Sequence, residues 1–207
     1  MRLPYTDRPD VRARLRPFYV PARRWGLVGL RWWAISLSIL CGMLIWGADT
    51  PAGWLLLAPF GLWLRFQLNT LEEMVIDRAR RARTPREQAL DILGHIACDL
   101  AIYLPLAFHI GTSPAFMVAF AMLLVLAEFA GLLVFVVGGR LRRDGPMDVT
   151  RRAFWISLPA FWLGMGLPHL SGIIDAWICI LVGLMTVTGI NRVEFGLEEL
   201  DINNREG

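Results

Sequence analysis

Lysine is absent from this 207-residue chain, so all 21 basic residues are arginine. That bias reads as genomic composition, since arginine serves wherever only positive charge is needed. Charge as a whole is scarce: Asp, Glu, Lys and Arg make up 19% of the chain, against about a quarter in a soluble domain. Cysteine is rare as well. Cys41, Cys98 and Cys179 lie far apart, each inside an apolar run, with no CxxC pair and no zinc-ligand spacing; this argues against a disulfide framework. No convincing repeat is present. The net charge of +3 comes from arginines in connecting segments, which suit anionic lipid headgroups and make no case for nucleic acid. A cleavable signal peptide is not expected, because residues 1–24 are polar with seven arginines and the next apolar run is too long for a signal core.

What the chain has in abundance is apolar residues, at 56%, with a mean hydropathy of +0.49. The expectation is an all-α, polytopic membrane protein of one domain with six transmembrane helices. The spans fall at residues 25–48, 54–75, 87–110, 115–137, 153–167 and 173–191. Residues 1–24 are read as a cytoplasmic or interfacial segment, 25–191 as the six-helix domain, and 192–207 as an acidic, solvated tail. Arginine concentrates in the N-terminal segment and in the loops after the second and fourth spans, while the loops after the first, third and fifth have none. By the positive-inside rule both termini are then cytoplasmic.

Ionisable groups are costly at membrane depth and usually mark a protein interior or a wet cavity. The stretch from Arg65 to Asp99 is dense in them. Arg65, Asn69, Glu72 and Glu73 fall at i, i+4, i+7 and i+8, one face of a helix. Glu87, Asp91, His95 and Asp99 fall at steps of four, again one face. Two polar stripes joined by a short basic loop are expected to face each other across a cleft.

These stretches resemble the CDP-alcohol phosphatidyltransferases, six-span membrane enzymes whose signature reads DxxDGxxAR, about eight residues, then GxxxDxxxD. One bacterial branch of them has a variant beginning NLLDGMV. Here the chain reads Asn69-Thr-Leu-Glu72-Glu73-Met-Val75, then Glu87-Gln-Ala-Leu-Asp91-Ile-Leu-Gly-His95. Arg65 and Thr84-Pro85 also match that branch. A second resemblance lies in Glu128-Phe-Ala-Gly131 and the segment GGRLRRDGPM from Gly138 to Met147.

The resemblance implies transfer of a phosphatidyl-type group from a CDP-linked lipid to an alcohol, with release of CMP, at the inner membrane of a bacterium. It implies that Asn69, Glu72 and Asp91 hold Mg²⁺ or Mn²⁺ through oxygen ligands, and that His95 is the base acting on the acceptor hydroxyl. Partners implied are the CDP-linked lipid, the acceptor alcohol, membrane lipids and a second copy of the chain in a homodimer. Arg65, Glu73, Glu87, Asp99, Glu128, Arg140 and Arg143 are the further candidates around the substrate. Among them, Arg65 serves as an internal counter-charge or a substrate contact, and Asp99 is placed to orient His95. Glu128 either pairs with Arg65 or joins the metal shell. The arginines after the fourth span hold a phosphate or simply set topology.

Two signature glycines map to Glu73 and Glu87, where a carboxylate repels a diphosphate. That departure supports an alternative from another class: the same fold without the chemistry, acting as a membrane partner, lipid-binding or scaffolding subunit. A proton or ion pathway along the same stripe is a third reading, weakened by the lack of acidic residues in the other halves of most spans.

Overall fold

The computed structural model describes residues 9–47, 51–79, 84–110, 113–139, 145–168 and 171–206. The elements are α1 (Pro9–Leu15), a 3-10 turn (Arg16–Phe18), α2 (Tyr19–Trp46), α3 (Pro51–Trp54), α4 (Leu57–Ala79), α5 (Pro85–His109), α6 (Pro114–Val136), α7 (Val149–Gly164) and α8 (Ser171–Glu206). No strand occurs among the described residues. Four segments are long and apolar enough to cross a membrane: Val11–Trp46, Pro85–His109, Pro114–Val136 and Gly172–Leu200. The other two long helices differ for visible reasons. Helix α4 carries Arg65, Glu72, Glu73, Asp77 and Arg78, and α7 has 16 residues, a rise of about 24 Å against a hydrocarbon core of about 30 Å.

The distribution of side chains is the reverse of a water-soluble protein. Trp32, Trp33, Met43, Met122, Leu126, Leu133 and Val136 are all exposed, while Arg65, Asp99, Glu128, Arg152 and Arg192 are buried. An apolar outside around a charged inside is what a lipid solvent selects. The main core joins Ile45 of α2, Leu62 of α4, Ile92, Ile102 and Leu106 of α5, Phe120 and Leu124 of α6, Ile156 of α7, and Ile178 and Met185 of α8. A smaller cluster of Leu15, Ala22, Leu30, Leu71 and Met74 fastens α1 to α2 and α4.

Helix α2 is the central post, packed on both α4 and α5, with α6 lying between α5 and α8. Its approach to α5 is close: a Cβ on Gly42 would collide with the backbone carbonyl of Ala101, so glycine is required there. The same helix turns at Gly26, whose φ of 67° is left-handed. The polar segment before it can therefore leave the direction of the apolar span. That segment lies against the end of α4, where Arg12 pairs with Asp77 at 2.9 Å and the Arg78 guanidinium stands 4.1 Å above the Tyr19 ring.

Helix α8 does not stop near Asn191. It continues to Glu206, and Arg192 is buried rather than part of a solvated tail. The preceding loop is held to the same helix, because the Met147 amide donates to Thr188 Oγ1 at 3.0 Å.

Candidate functional site

Asn69 and Glu72 from α4, Asp91, Gly94, His95 and Cys98 from α5, and Arg31 and Ala34 from α2 line one recess of about 10 Å³. That is room for about one water molecule. The two stripes do converge, but both lean on α2 and reach each other through long side chains. Arg31, from α2, completes the recess. Its NH2 lies 2.8 Å from Glu72 Oε1 and 3.6 Å from Asp91 Oδ1. Gly94 makes the space for it: a Cβ there would sit 3.3 Å from Arg31 Cδ and 3.4 Å from Cγ. Arg31 Nε is buried and has no hydrogen-bond partner among the described residues.

His95 stands between this recess and a deeper ionic chain. Its Nε2 is 3.6 Å from Asp91 Oδ1, and its Nδ1 is 3.1 Å from Arg65 NH2. A guanidinium only donates, so Nδ1 accepts and the proton of the neutral ring sits on Nε2, toward Asp91. Arg65 NH2 also donates to the His95 carbonyl at 3.3 Å, and its NH1 is bonded to Asp99 Oδ1. On its other oxygen Asp99 meets Arg152, with Nε at 2.7 Å and NH2 at 2.6 Å from Oδ2. Arg152 NH1 continues to Glu128 Oε1. Arg192 closes the chain, 3.2 Å from Glu128 Oε2 and 2.9 Å from the Ala127 carbonyl. Among the described residues the network thus joins Arg31, Glu72 and Asp91, through His95, to Arg65, Asp99, Arg152, Glu128 and Arg192 across six helices. Four cations face four anions, and each buried charge has its counter-charge, as burial requires.

The remaining candidates fall elsewhere. Glu87 belongs to the start of α5, in a reciprocal cap: its backbone N–H donates to Thr84 Oγ1 at 3.2 Å, and its Oε2 accepts from the Thr84 N–H at 3.0 Å. With Pro85 in the first helical position, the Thr84-Pro85-x-Glu87 sequence starts α5 by itself. Glu73 is half-buried on α4 beside Glu72 and does not line the recess. Arg140 and Arg143 lie outside the described residues. Arg65, Asp99 and Glu128 are all in the ionic chain, below the recess rather than on its wall. The residues that sequence reasoning missed are Arg31, Ala34, Gly94 and Cys98 around the recess and Arg192 in the ionic chain. For Arg192 a signal exists: Ile174, Ile178, Leu181, Met185, Thr188 and Arg192 continue one buried stripe at steps of four and three.

Asn69, Glu72 and Asp91 do offer the oxygen ligands of a hard divalent ion. The place such an ion would take between Glu72 and Asp91 is filled by Arg31 NH2. Among the described residues no three His, Cys, Asp or Glu side chains are grouped to hold a metal. As these side chains stand, the set does not fit Mg²⁺ or Mn²⁺.

Apolar helices of spanning length, lipid-compatible surfaces and a neutralised ionic interior together define a helical membrane protein. Among curated proteins it is similar to an inner membrane protein of Escherichia coli (strain K12), YnbA, with 32% identity over 125 residues. The match covers 60% of this chain and 61% of that protein, so the chain spans under two thirds of its relative's length. No protein-family model matches the chain, and no solved structure matches it.

Proposed function

We propose that the chain is a divergent relative of the CDP-alcohol phosphatidyltransferases, built on six spans with both termini in the cytoplasm of a bacterium and the recess facing that side. Its reaction is transfer of a phosphatidyl-type group from a CDP-linked lipid to an alcohol, with CMP leaving. The observation that supports this most is the convergence of Asn69, Glu72, Asp91 and His95 on one recess, four positions that map in order onto the acidic positions of the signature, with Asp91 alone keeping its aspartate. The two long helices that do not count as spans by themselves, α4 for its charges and α7 for its length, supply charges that the bundle neutralises, which supports counting them as the second and fifth spans. In this reading His95 takes the proton of the acceptor hydroxyl and the oxygen attacks the phosphorus bonded to CMP.

A second reading has its own observations. Arg31 fills the cation position, and the Nδ1 lone pair of His95 is already used by Arg65, so a base role requires Arg65 to release it. Both favour a member of the same fold that has lost the chemistry and serves as a membrane partner or lipid-binding subunit.

The two readings separate on CDP binding. A ligand that binds only the folded state raises the melting temperature by mass action. The transferase reading expects CDP to stabilise the detergent-purified protein by several degrees, and Asp91→Ala to remove the shift. No shift at millimolar CDP, with the ionic chain intact, leaves the non-catalytic subunit.

A further inference from the structure

We propose that Arg31 is the fixed cation of the recess, permanently occupying the position for which the signature uses a divalent ion, so that the chain works without one. This rests on reading the recess as the counterpart of the transferase site. Three observations carry it. One NH2 reaches both carboxylates, at 2.8 Å from Glu72 and 3.6 Å from Asp91, which is the bridging position between them. The arginine stem passes over Gly94, where any larger residue would press on it, so α5 is shaped to admit it. The guanidinium side chain is 14% exposed, and a guanidinium does not lose its charge.

A divalent ion and a guanidinium cannot share this position. A doubly charged ion and a guanidinium placed side by side repel strongly at the effective dielectric of a protein. Removing the arginine charge leaves Glu72 and Asp91 facing each other with Asn69 beside them, an oxygen set that calls for a hard cation. Arg31 is thus the residue that decides which cation the recess holds.

The test is Mn²⁺ binding by electron paramagnetic resonance on the full chain in detergent, with melting temperature recorded alongside. Wild type is expected to bind no Mn²⁺ at this site at millimolar concentration. Arg31→Gln should melt lower without metal, bind one Mn²⁺ per chain at least about a hundredfold tighter than wild type, and recover stability with it. Arg31→Lys keeps a cation and should behave as wild type, and Asp91→Asn added to Arg31→Gln should abolish binding. Wild type binding Mn²⁺ as tightly as Arg31→Gln overturns the proposal. So does an Arg31→Gln protein with normal helix content and no Mn²⁺ bound, or one that does not fold even when Mn²⁺ is supplied throughout purification. CDP separates this from the broader reading: Mn²⁺ binding gained in Arg31→Gln while CDP shifts no variant rejects the transferase and keeps the role of Arg31.

Discussion

Arg152 illustrates what a single side chain does in this interior. It is fully buried and shared between Asp99 and Glu128, so truncation leaves two carboxylates without their common cation. Breaking a buried pair from one side costs about 3–5 kcal/mol. Arg152→Ala should therefore lower resistance to denaturing detergent by about that much, read from the midpoint of loss of helical circular dichroism. A midpoint within 1 kcal/mol of wild type, about the ceiling for a solvated pair, would place Arg152 in a wet, screened setting. At this scale the sequence was partly legible. Glu72, Asp91 and His95 announce themselves by helical spacing in an apolar context. Arg31 does not, because it lies among tryptophans in a run read as a plain span, and its partners are 41 and 60 positions away. Gly94 is silent too, since nothing local distinguishes a glycine that admits a distant arginine from one that merely packs.

Helix α5 shows how an element can carry a motif for reasons of its own. Its start is fixed by the reciprocal bonds of Thr84 and Glu87. Losing such a cap costs about 1 kcal/mol. Thr84→Ala is expected to destabilise the protein by about that amount, whereas Glu87→Gln keeps both cap bonds and should leave the melting temperature unchanged. If Glu87→Gln instead abolishes a CDP-dependent shift, the side chain serves the ligand as well as the cap. The helical character of the chain was legible from hydropathy. The end of α8 was not, because the acidic composition after Arg192 masks a buried stripe whose spacing runs through the expected boundary. Hydropathy also does not say whether a charged helix such as α4 crosses the bilayer, since that depends on partners contributed by α2 and α5.

At the scale of the whole molecule, the arginine pattern supports the orientation proposed above. Seven arginines precede residue 25 and five lie between residues 77 and 86, both consistent with the cytoplasmic side under the six-span proposal. A fluorescent protein that matures only in the cytoplasm should be bright when fused to either end, and alkaline phosphatase fused at the same places should be inactive. An active phosphatase at the C-terminus would require an odd number of spans, and α4 or α7 would then lie outside the bilayer.

The balanced ionic chain also has a consequence for biogenesis. Helices emerge from the ribosome in order, and the charges of the network arrive with them: Arg31 on α2, Arg65 and Glu72 on α4, two aspartates on α5, Glu128 on α6, Arg152 on α7 and Arg192 on α8. The running charge is one positive after α2, two negative after α6, and reaches zero only with α8. Until then the buried network of an incomplete chain, though not the chain as a whole, holds more carboxylates than guanidiniums. The last helix to be made is the one that neutralises it, which makes a protein truncated before residue 192 a natural target for membrane proteolysis.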